Sequence, residues 1–143
     1  MAIDMTGDMQ VIDKAWEDRF VCLLGTADAD GSPQISPKGS MMVFDGQRLA
    51  YWERAGRTAL ANLNANRRVV VYYRNPTKTD QFPNGAVWRF YGNAEVLTEG
   101  ALRDEVYERT IPQEREKDLE KKGAAVVITV DRIMDLGGKI IQK

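Results

Sequence analysis

The sequence predicts a mainly β fold, a small barrel or sandwich of about six strands, mostly antiparallel, with helices inserted between them. Three observations carry that reading. Runs rich in strand-forming residues recur along the chain, each bounded by Gly, Pro, Asn or Asp. The turns joining the first strands are too short for parallel crossovers, so those strands pair antiparallel. Strands connected this way close on themselves because closure removes exposed edges, a condition that barrel and sandwich both meet. With 143 residues, 43% of them hydrophobic, the chain reads as one domain over 1–143 with enough apolar surface for its own core.

Taken in order, the segment from Asp8 to about Glu17 sets Val11, Ile12, Ala15 and Trp16 at helical spacing, with Thr6 as its cap. Arg19 to Ala27 and Pro33 to Phe44 read as two strands of a hairpin turned by Asp28-Ala29-Asp30-Gly31. Asp45-Gly46 is a two-residue type I′ turn signal leading to a strand from Arg48 to Glu53. From Arg57 to Asn66 the period is helical, with Ala59, Leu60 and Leu63 on one face. Arg68-Val69-Val70-Val71-Tyr72-Tyr73 is an apolar run expected to be buried on both faces. After a loop from Asn75 to Gly85 comes a strand from Ala86 to about Leu97, imperfectly alternating through Val87, Phe90 and Val96, in which Gly92 marks a bulge or a close backbone approach. Thr98 caps a helix through Val106, Pro112 to Lys122 reads as a solvated helix stopped by Gly123, and a last strand runs from Ala124 to Ile133.

Composition removes several chemistries. With no histidine and one cysteine, the chain can form neither an intrachain disulfide nor a CxxC zinc site, and it has no histidine-based triad, dyad or metal helix. No metal site is expected. Cys22 lies in the apolar run Phe20-Val21-Cys22-Leu23-Leu24 and reads as a buried apolar residue. No apolar run approaches the ~20 residues of a membrane helix. The first residues lack the basic start and apolar stretch of a signal peptide, so a cytoplasmic location and no membrane partner are expected. Net charge is −1, too balanced for a nucleic-acid binder. Between Ser36 and Arg74, however, seven basic residues face two acidic ones, a compact positive region suited to a small phosphorylated ligand.

The chemistry concentrates in Ser36-Pro37-Lys38-Gly39-Ser40, Tyr51 to Thr58, Asn62, and Asn66-Arg67-Arg68-Val69. Gly56 would let a phosphate approach the backbone, Thr58 offers a hydroxyl, and a helix starting near Arg57 presents unpaired N–H groups. Arg54 and Arg57 add planar donor forks, and Lys38 can reach the same pocket from the neighbouring strand. Each has a plainer reading. Arg54, Arg57 and Thr58 also fit a solvated turn with a helix cap, Trp52 and Trp88 fit core packing, and Arg67-Arg68 complement a helix dipole. Neither GxGxxG nor GxxxxGK[ST] occurs, which leaves dinucleotide and P-loop readings without support.

The ordered succession Thr26-Ala27-Asp28-Ala29-Asp30-Gly31-Ser32-Pro33-Gln34-Ile35-Ser36-Pro37, then Tyr51-Trp52, Gly56-Arg57-Thr58, Asn62-Leu63-Asn64-Ala65-Asn66-Arg67-Arg68-Val69 and Trp88-Arg89-Phe90-Tyr91-Gly92-Asn93-Ala94-Glu95 resembles the pyridoxamine 5′-phosphate oxidase-like family of FMN-binding split barrels. The resemblance spans about residues 10–135. It implies a six-stranded antiparallel split barrel that forms a homodimer with FMN at the subunit interface. On that mapping Ser36, Pro37, Lys38 and Gly39 line the ring or ribityl chain, Trp52 and Glu53 lie beside the flavin, and Arg54, Arg57 and Thr58 belong to the phosphate turn. Asn62 is a secondary polar contact, and Arg89 matches a position that contacts flavin in the family, of the same subunit or of its partner.

The chain departs from the family in two places. No lysine follows Arg57 in the phosphate turn, and the end Gly137-Gly138-Lys139-Ile140-Ile141-Gln142-Lys143 lacks the arginine and histidine of the vitamin-phosphate oxidases. The expectation is therefore a flavin-dependent oxidoreductase acting on another small molecule, with a reduced nicotinamide as a candidate donor and no catalytic residue singled out. A non-catalytic flavin or deazaflavin binding protein is the alternative. A nucleic-acid module using Arg54, Arg57, Arg67 and Arg68 is a distant third, and no nucleic-acid partner is expected.

Overall fold

The computed structural model describes residues 2–54 and 57–143, with the side chains of residues 57–59 outside that description. Its eight strands are β1 (Cys22–Ala27), β2 (Pro33–Lys38), β3 (Met42–Val43), β4 (Arg48–Glu53), β5 (Arg68–Asn75), β6 (Ala86–Leu97), β7 (Ala124–Met134) and β8 (Ile140–Gln142). They pair antiparallel in the order β2-β1-β5-β6-β7-β4-β3, with β8 beside β7. The two ends of that path are consecutive in the chain, separated only by residues 39–41, so the sheet closes on itself through covalent continuity. The result is a split barrel.

Eight strands replace the expected six for two reasons. The run expected as one strand over 33–44 leaves β1 after Lys38 and reappears on the opposite edge as β3, and the C-terminal residues fold back as β8. The type I′ turn at Asp45-Gly46 does not form. Gly46 is not among the glycines of positive φ, and the loop is held instead by the Asp45 carboxylate, which accepts from the Gln47 N–H at 3.0 Å and the Arg48 N–H at 2.8 Å. The bulge at Gly92 is real. Tyr91 pairs with Arg132 and Gly92 with Val130, leaving Asp131 as the extra residue, and a Cβ on Gly92 would run into the Thr129 carbonyl oxygen.

The helices differ from their sequence patterns in cap, start or length. Residues 8–14 form a 3₁₀ turn that passes into α1 (Ala15–Asp18), capped by Gly7 at φ 93° with Gln10 reaching back to its N–H. Thr6 is not the cap, because its hydroxyl donates to Asp4 instead. The second helix, α2 (Arg57–Ala65), follows β4 as expected. The helix expected from Thr98 begins later, as α3 (Ala101–Arg109), with Gly100 as its N-cap. The helix expected over 112–122 is α4 (Pro112–Arg115) plus one 3₁₀ turn to Asp118, whose carboxylate stops it by accepting the N–H groups of Lys122 and Gly123.

Two apolar clusters result. Inside the barrel, Leu24, Leu49, Tyr51, Val71, Phe90 and Ile128 pack together, and Met5, Met9, Ile12 and Ala15 plug one end. Trp88 joins this core, as does Cys22, whose thiol pKa burial pushes up. The second cluster lies outside the barrel, where Val106 and Tyr107 of α3 cover Trp52, Ala125 and Val127. Burial on both faces therefore belongs to β4 and β7, and the expectation for β5 is corrected. In β5, Val69, Val71 and Tyr73 face inward while Val70 and Tyr72 are only half-buried, because no helix covers that wall. In β6 the inward set is Ala86, Trp88, Phe90, Gly92 and Ala94, so Val87 faces outward. No helix among the described residues is long and apolar enough to cross a membrane.

Candidate functional site

The site grows from the alternation of β2. Gln34, Ser36 and Lys38 share the face of their β1 partners Thr26, Leu24 and Cys22, while Pro33, Ile35 and Pro37 point outward. Beyond Lys38 the chain crosses the opening of the barrel. A Cβ on Gly39 would press on the Trp16 ring at 2.7 Å and on the Glu114 carboxylate at 2.8 Å, so the crossing requires a glycine. Ser40 then stitches the crossing to β4, its hydroxyl accepting the Trp52 N–H at 3.0 Å and donating to the Trp52 carbonyl at 3.3 Å.

At this end of the seam Lys38 Nζ meets Glu53 Oε1 at 2.7 Å, with both side chains largely out of solvent. The ammonium also lies 5.5 Å from the centre of the Tyr51 ring. Tyr51 is fully buried, its hydroxyl has no hydrogen-bond partner, and burial aided by the Glu53 charge pushes its pKa up. Arg54 reaches Glu114 at 3.2 Å, and Glu114 is only 5% exposed although it is a carboxylate. Glu114 is buried while Arg54 is half-exposed, and removing Arg54 would take a partner from a buried charge, so this contact helps hold α4 against the end of β4. A cleft of about 70 Å³ remains between Lys38, Gly39, Ser40, Glu53, Arg54 and Glu114.

Trp52 is wall as well as lining. Its indole N–H donates to Asp118 at 2.8 Å, the Arg103 guanidinium lies 4.9 Å above it, and Tyr107 meets it edge-on at 4.9 Å. Asn62, from α2, is buried at the other end of the seam and donates to Gln34 at 2.9 Å and to Thr26 at 3.3 Å. Four steps along β2 take Gln34 of that cluster to Lys38, roughly 13 Å of strand. Ser36 lies between them on the same face. Gly56 and the side chains of Arg57 and Thr58 lie outside the described residues. Arg89 does not join the cleft of its own chain. It stands on the outer wall beside Tyr72 and donates to the carbonyls of Asp135 at 2.9 Å and Leu136 at 3.1 Å.

The structure thus brings together Pro37, Lys38, Gly39, Trp52, Glu53 and Arg54, and aligns Ser36 and Asn62 along the same seam. Sequence reasoning missed Glu114, Asp118 and Trp16. The first two sit in a mixed-charge segment that reads as solvated, and Trp16 reads as one face of an amphipathic helix. Four of the seven basic residues of the positive region are paired. Lys38, Arg48, Arg54 and Arg68 are each matched by a carboxylate, those of Glu53, Asp45, Glu114 and Asp131, two of which come from outside the stretch.

Comparison with known proteins agrees with the fold. The family profile described as pyridoxamine 5′-phosphate oxidase matches residues 9–136. Among solved structures, HupZ of Group A Streptococcus is 25% identical, with 90% of this chain and 94% of that one covered at a TM-score of 0.69. A protein of Lactobacillus delbrueckii, provisionally assigned as a pyridoxamine 5′-phosphate oxidase, is 25% identical, covering 90% of this chain and 92% of its own at a TM-score of 0.64. An FMN-binding protein of Syntrophomonas wolfei shares the fold at 15% identity, with 87% and 83% covered and a TM-score of 0.64. No curated protein sequence matches the chain.

Proposed function

The chain belongs to the pyridoxamine 5′-phosphate oxidase family, and from that premise we propose that it is an FMN-binding oxidoreductase of small molecules, working as a homodimer. The observation that carries the proposal is the polar seam from Asn62 and Gln34 to Lys38 and Glu53, which lies inside the matched region. Its donor set fits FMN. Hydroxyl and amide groups suit a ribityl chain, and an N–H-rich helix start at Arg57, with the Arg57 and Thr58 side chains, suits a phosphate.

Two features favour a homodimer with FMN at the interface. One protomer encloses only about 70 Å³ at the cleft, far below the roughly 300–1,000 Å³ of ligand pockets, so a second subunit is needed to complete the site. The outer wall of β2, β1, β5 and β6 carries Ile35 at 72% exposure and Leu23 at 36%, flanked by Val70 and Tyr91. Arg89 stands on that wall, so pairing through it directs Arg89 to the partner's flavin.

A flavin bound here supplies hydride exchange at its ring N5. The chain's own part is positional and electrostatic. Ser36, Pro37 and Gly39 would shape the bed, the Ser40 hydroxyl bonded to the Trp52 backbone would keep its floor rigid, and Lys38, oriented by Glu53, would place a positive charge beside the ring. With no histidine in the chain, that ammonium is the group available to favour an anionic reduced ring. A reduced nicotinamide is the donor to try first.

The test is the visible absorption of freshly purified protein, followed by the mass of any ligand released on denaturation. FMN in near one-to-one amount is expected, and the mass also separates FMN from a deazaflavin. Arg57→Ala should weaken FMN binding about ten- to a hundredfold. Lys38→Met should keep the flavin but slow its reduction about tenfold, and unchanged binding and reduction rates would remove Lys38 from this role. Colourless protein that takes up no added FMN would sink the proposal as a whole.

A further inference from the structure

A second cavity, of about 410 Å³, shares none of its lining with the seam. It falls within the roughly 300–1,000 Å³ of small-molecule pockets. One wall is the long connection between β5 and β6, which is tied down rather than loose. The Thr77 N–H donates to the Asn75 side chain at 3.0 Å, the Phe82 N–H to the Thr79 hydroxyl at 2.9 Å, and the Gln81 amide to Asp8 at 3.1 Å. Opposite lie Val11, Asp18 and Phe20. Phe82 meets Trp88 edge-on at 5.8 Å, and Trp88 stacks on Tyr73 at 5.9 Å, so the base of the cavity rests on an aromatic stack.

The lining has one sign of charge. It contains Asp18 and Asp80 and no Lys or Arg, and neither carboxylate has an ion-pair partner among the described residues. The aromatic rings show the same imbalance. Five of them reach the surface among the described residues: Trp16, Phe20, Tyr72, Phe82 and Tyr91. Trp16 carries Lys117 at 5.0 Å, Tyr72 carries Arg89 at 5.5 Å and Tyr91 carries Arg132 at 4.3 Å. The two without a cation of the chain's own, Phe20 and Phe82, are the two in this cavity. Tyr73 is fully buried nearby, and its hydroxyl completes no hydrogen bond. Burial raises its pKa; the adjacent Asn75 side chain tempers the rise and the Asp18 charge adds to it.

We propose that this cavity binds an organic ammonium, a primary amine on an apolar body, with Asp18 and Asp80 facing the charge and Phe20 and Phe82 holding the body and the cation's edge. Carboxylates without partners and bare aromatic faces are the two features such a cation recognises, and only here on the described surface do they coincide. The site does not depend on the flavin reading, and protein without flavin serves equally well for its test.

Phenethylamine and its neutral isostere 2-phenylethanol are titrated into the full-length chain, with binding followed by calorimetry and by amide shift changes. The amine should saturate at one per chain with an affinity at least about tenfold above that of the alcohol, shifting residues within 11–20 and 75–86. Asp18→Asn combined with Asp80→Asn should bring the amine down to the alcohol's level. Phe82→Leu should weaken the amine several-fold while leaving both carboxylates in place, and circular dichroism checks that each variant is folded. Equal affinity for amine and alcohol, absence of saturable amine binding, undiminished binding by the double variant, or shifts centred on the seam would each overturn the site.

Discussion

The outer face of β4 and β7 is covered by the chain's own α3, whereas the outer face of β2, β1, β5 and β6 is left to solvent. Both walls are apolar. On the covered wall Trp52, Ala125 and Val127 are matched by Val106 and Tyr107, so the surface is satisfied within one molecule. On the bare wall Leu23, Ile35, Val70 and Tyr91 point outward with no helix of the same chain above them, and only the Arg132 guanidinium lies over Tyr91. The difference teaches that apolar pattern alone does not say which partner buries a strand. The covered wall is a matter of folding and the bare wall, on the proposal above, a matter of assembly, with the seam lying where the two meet.

Substitutions on the two walls should therefore be read out differently. The largest effect is expected on the covered one. Trp52→Ala removes a ring held by Tyr107, Arg103 and Asp118 and should lower stability by about 3–5 kcal/mol in urea unfolding. A loss below about 1 kcal/mol would mean that α3 rests on that wall without holding it. On the bare wall, Ile35→Glu should leave the unfolding of the protomer within about 0.5 kcal/mol, because the residue is 72% exposed. The same change should halve the molar mass measured by light scattering. An unchanged mass would move the interface elsewhere and leave the apolar wall in need of another account.

Most of the fold was legible in the sequence because strand period and turn residues are local signals. The bounds of β4 and β6 agree with the pattern to the residue, and α2 to within one. Some failures were local, as where the Asp45 carboxylate replaces a type I′ turn and Asp4 takes the Thr6 hydroxyl, but those at the site were decided by contacts distant in sequence. The crossing after Lys38 needs a glycine because Trp16 and Glu114 leave no room for a side chain at residue 39, and Glu114 is buried against Arg54. The local spacing of α4 carries neither. The seam was legible in part for the same reason. Lys38 and Glu53 stand out as charges in strand-forming runs, yet their pairing depends on a closure that no stretch of sequence displays. Arg89 is the clearest limit, since its side chain turns away from its own cleft and toward the bare wall.

The smallest effect lies at the junction between α4 and the covered wall, and there it depends on pH. Asp118 accepts from the Trp52 indole and the Gly123 N–H at 2.8 Å each, and from the Lys122 N–H at 2.9 Å. Partial burial works against its charge, but these donors and the nearby Arg103 outweigh it and hold the carboxyl below its ordinary value of 3.8. A carboxyl whose pKa is lower in the folded state adds stability above its unfolded pKa, and that contribution is lost as pH falls through the folded value. Asp118→Asn keeps the size of the side chain and removes the charge. The gap in urea midpoint between wild type and variant should be open at neutral pH and narrow as pH falls below the ordinary carboxyl value of 3.8 and through the lowered folded one. Because every other acid titrates in both proteins, the closing gap reports this one carboxyl. A gap that stays constant with pH would show that the charge of Asp118 adds nothing to the hold on Trp52, leaving its hydrogen bonds and the packing of α3 to carry the covered wall.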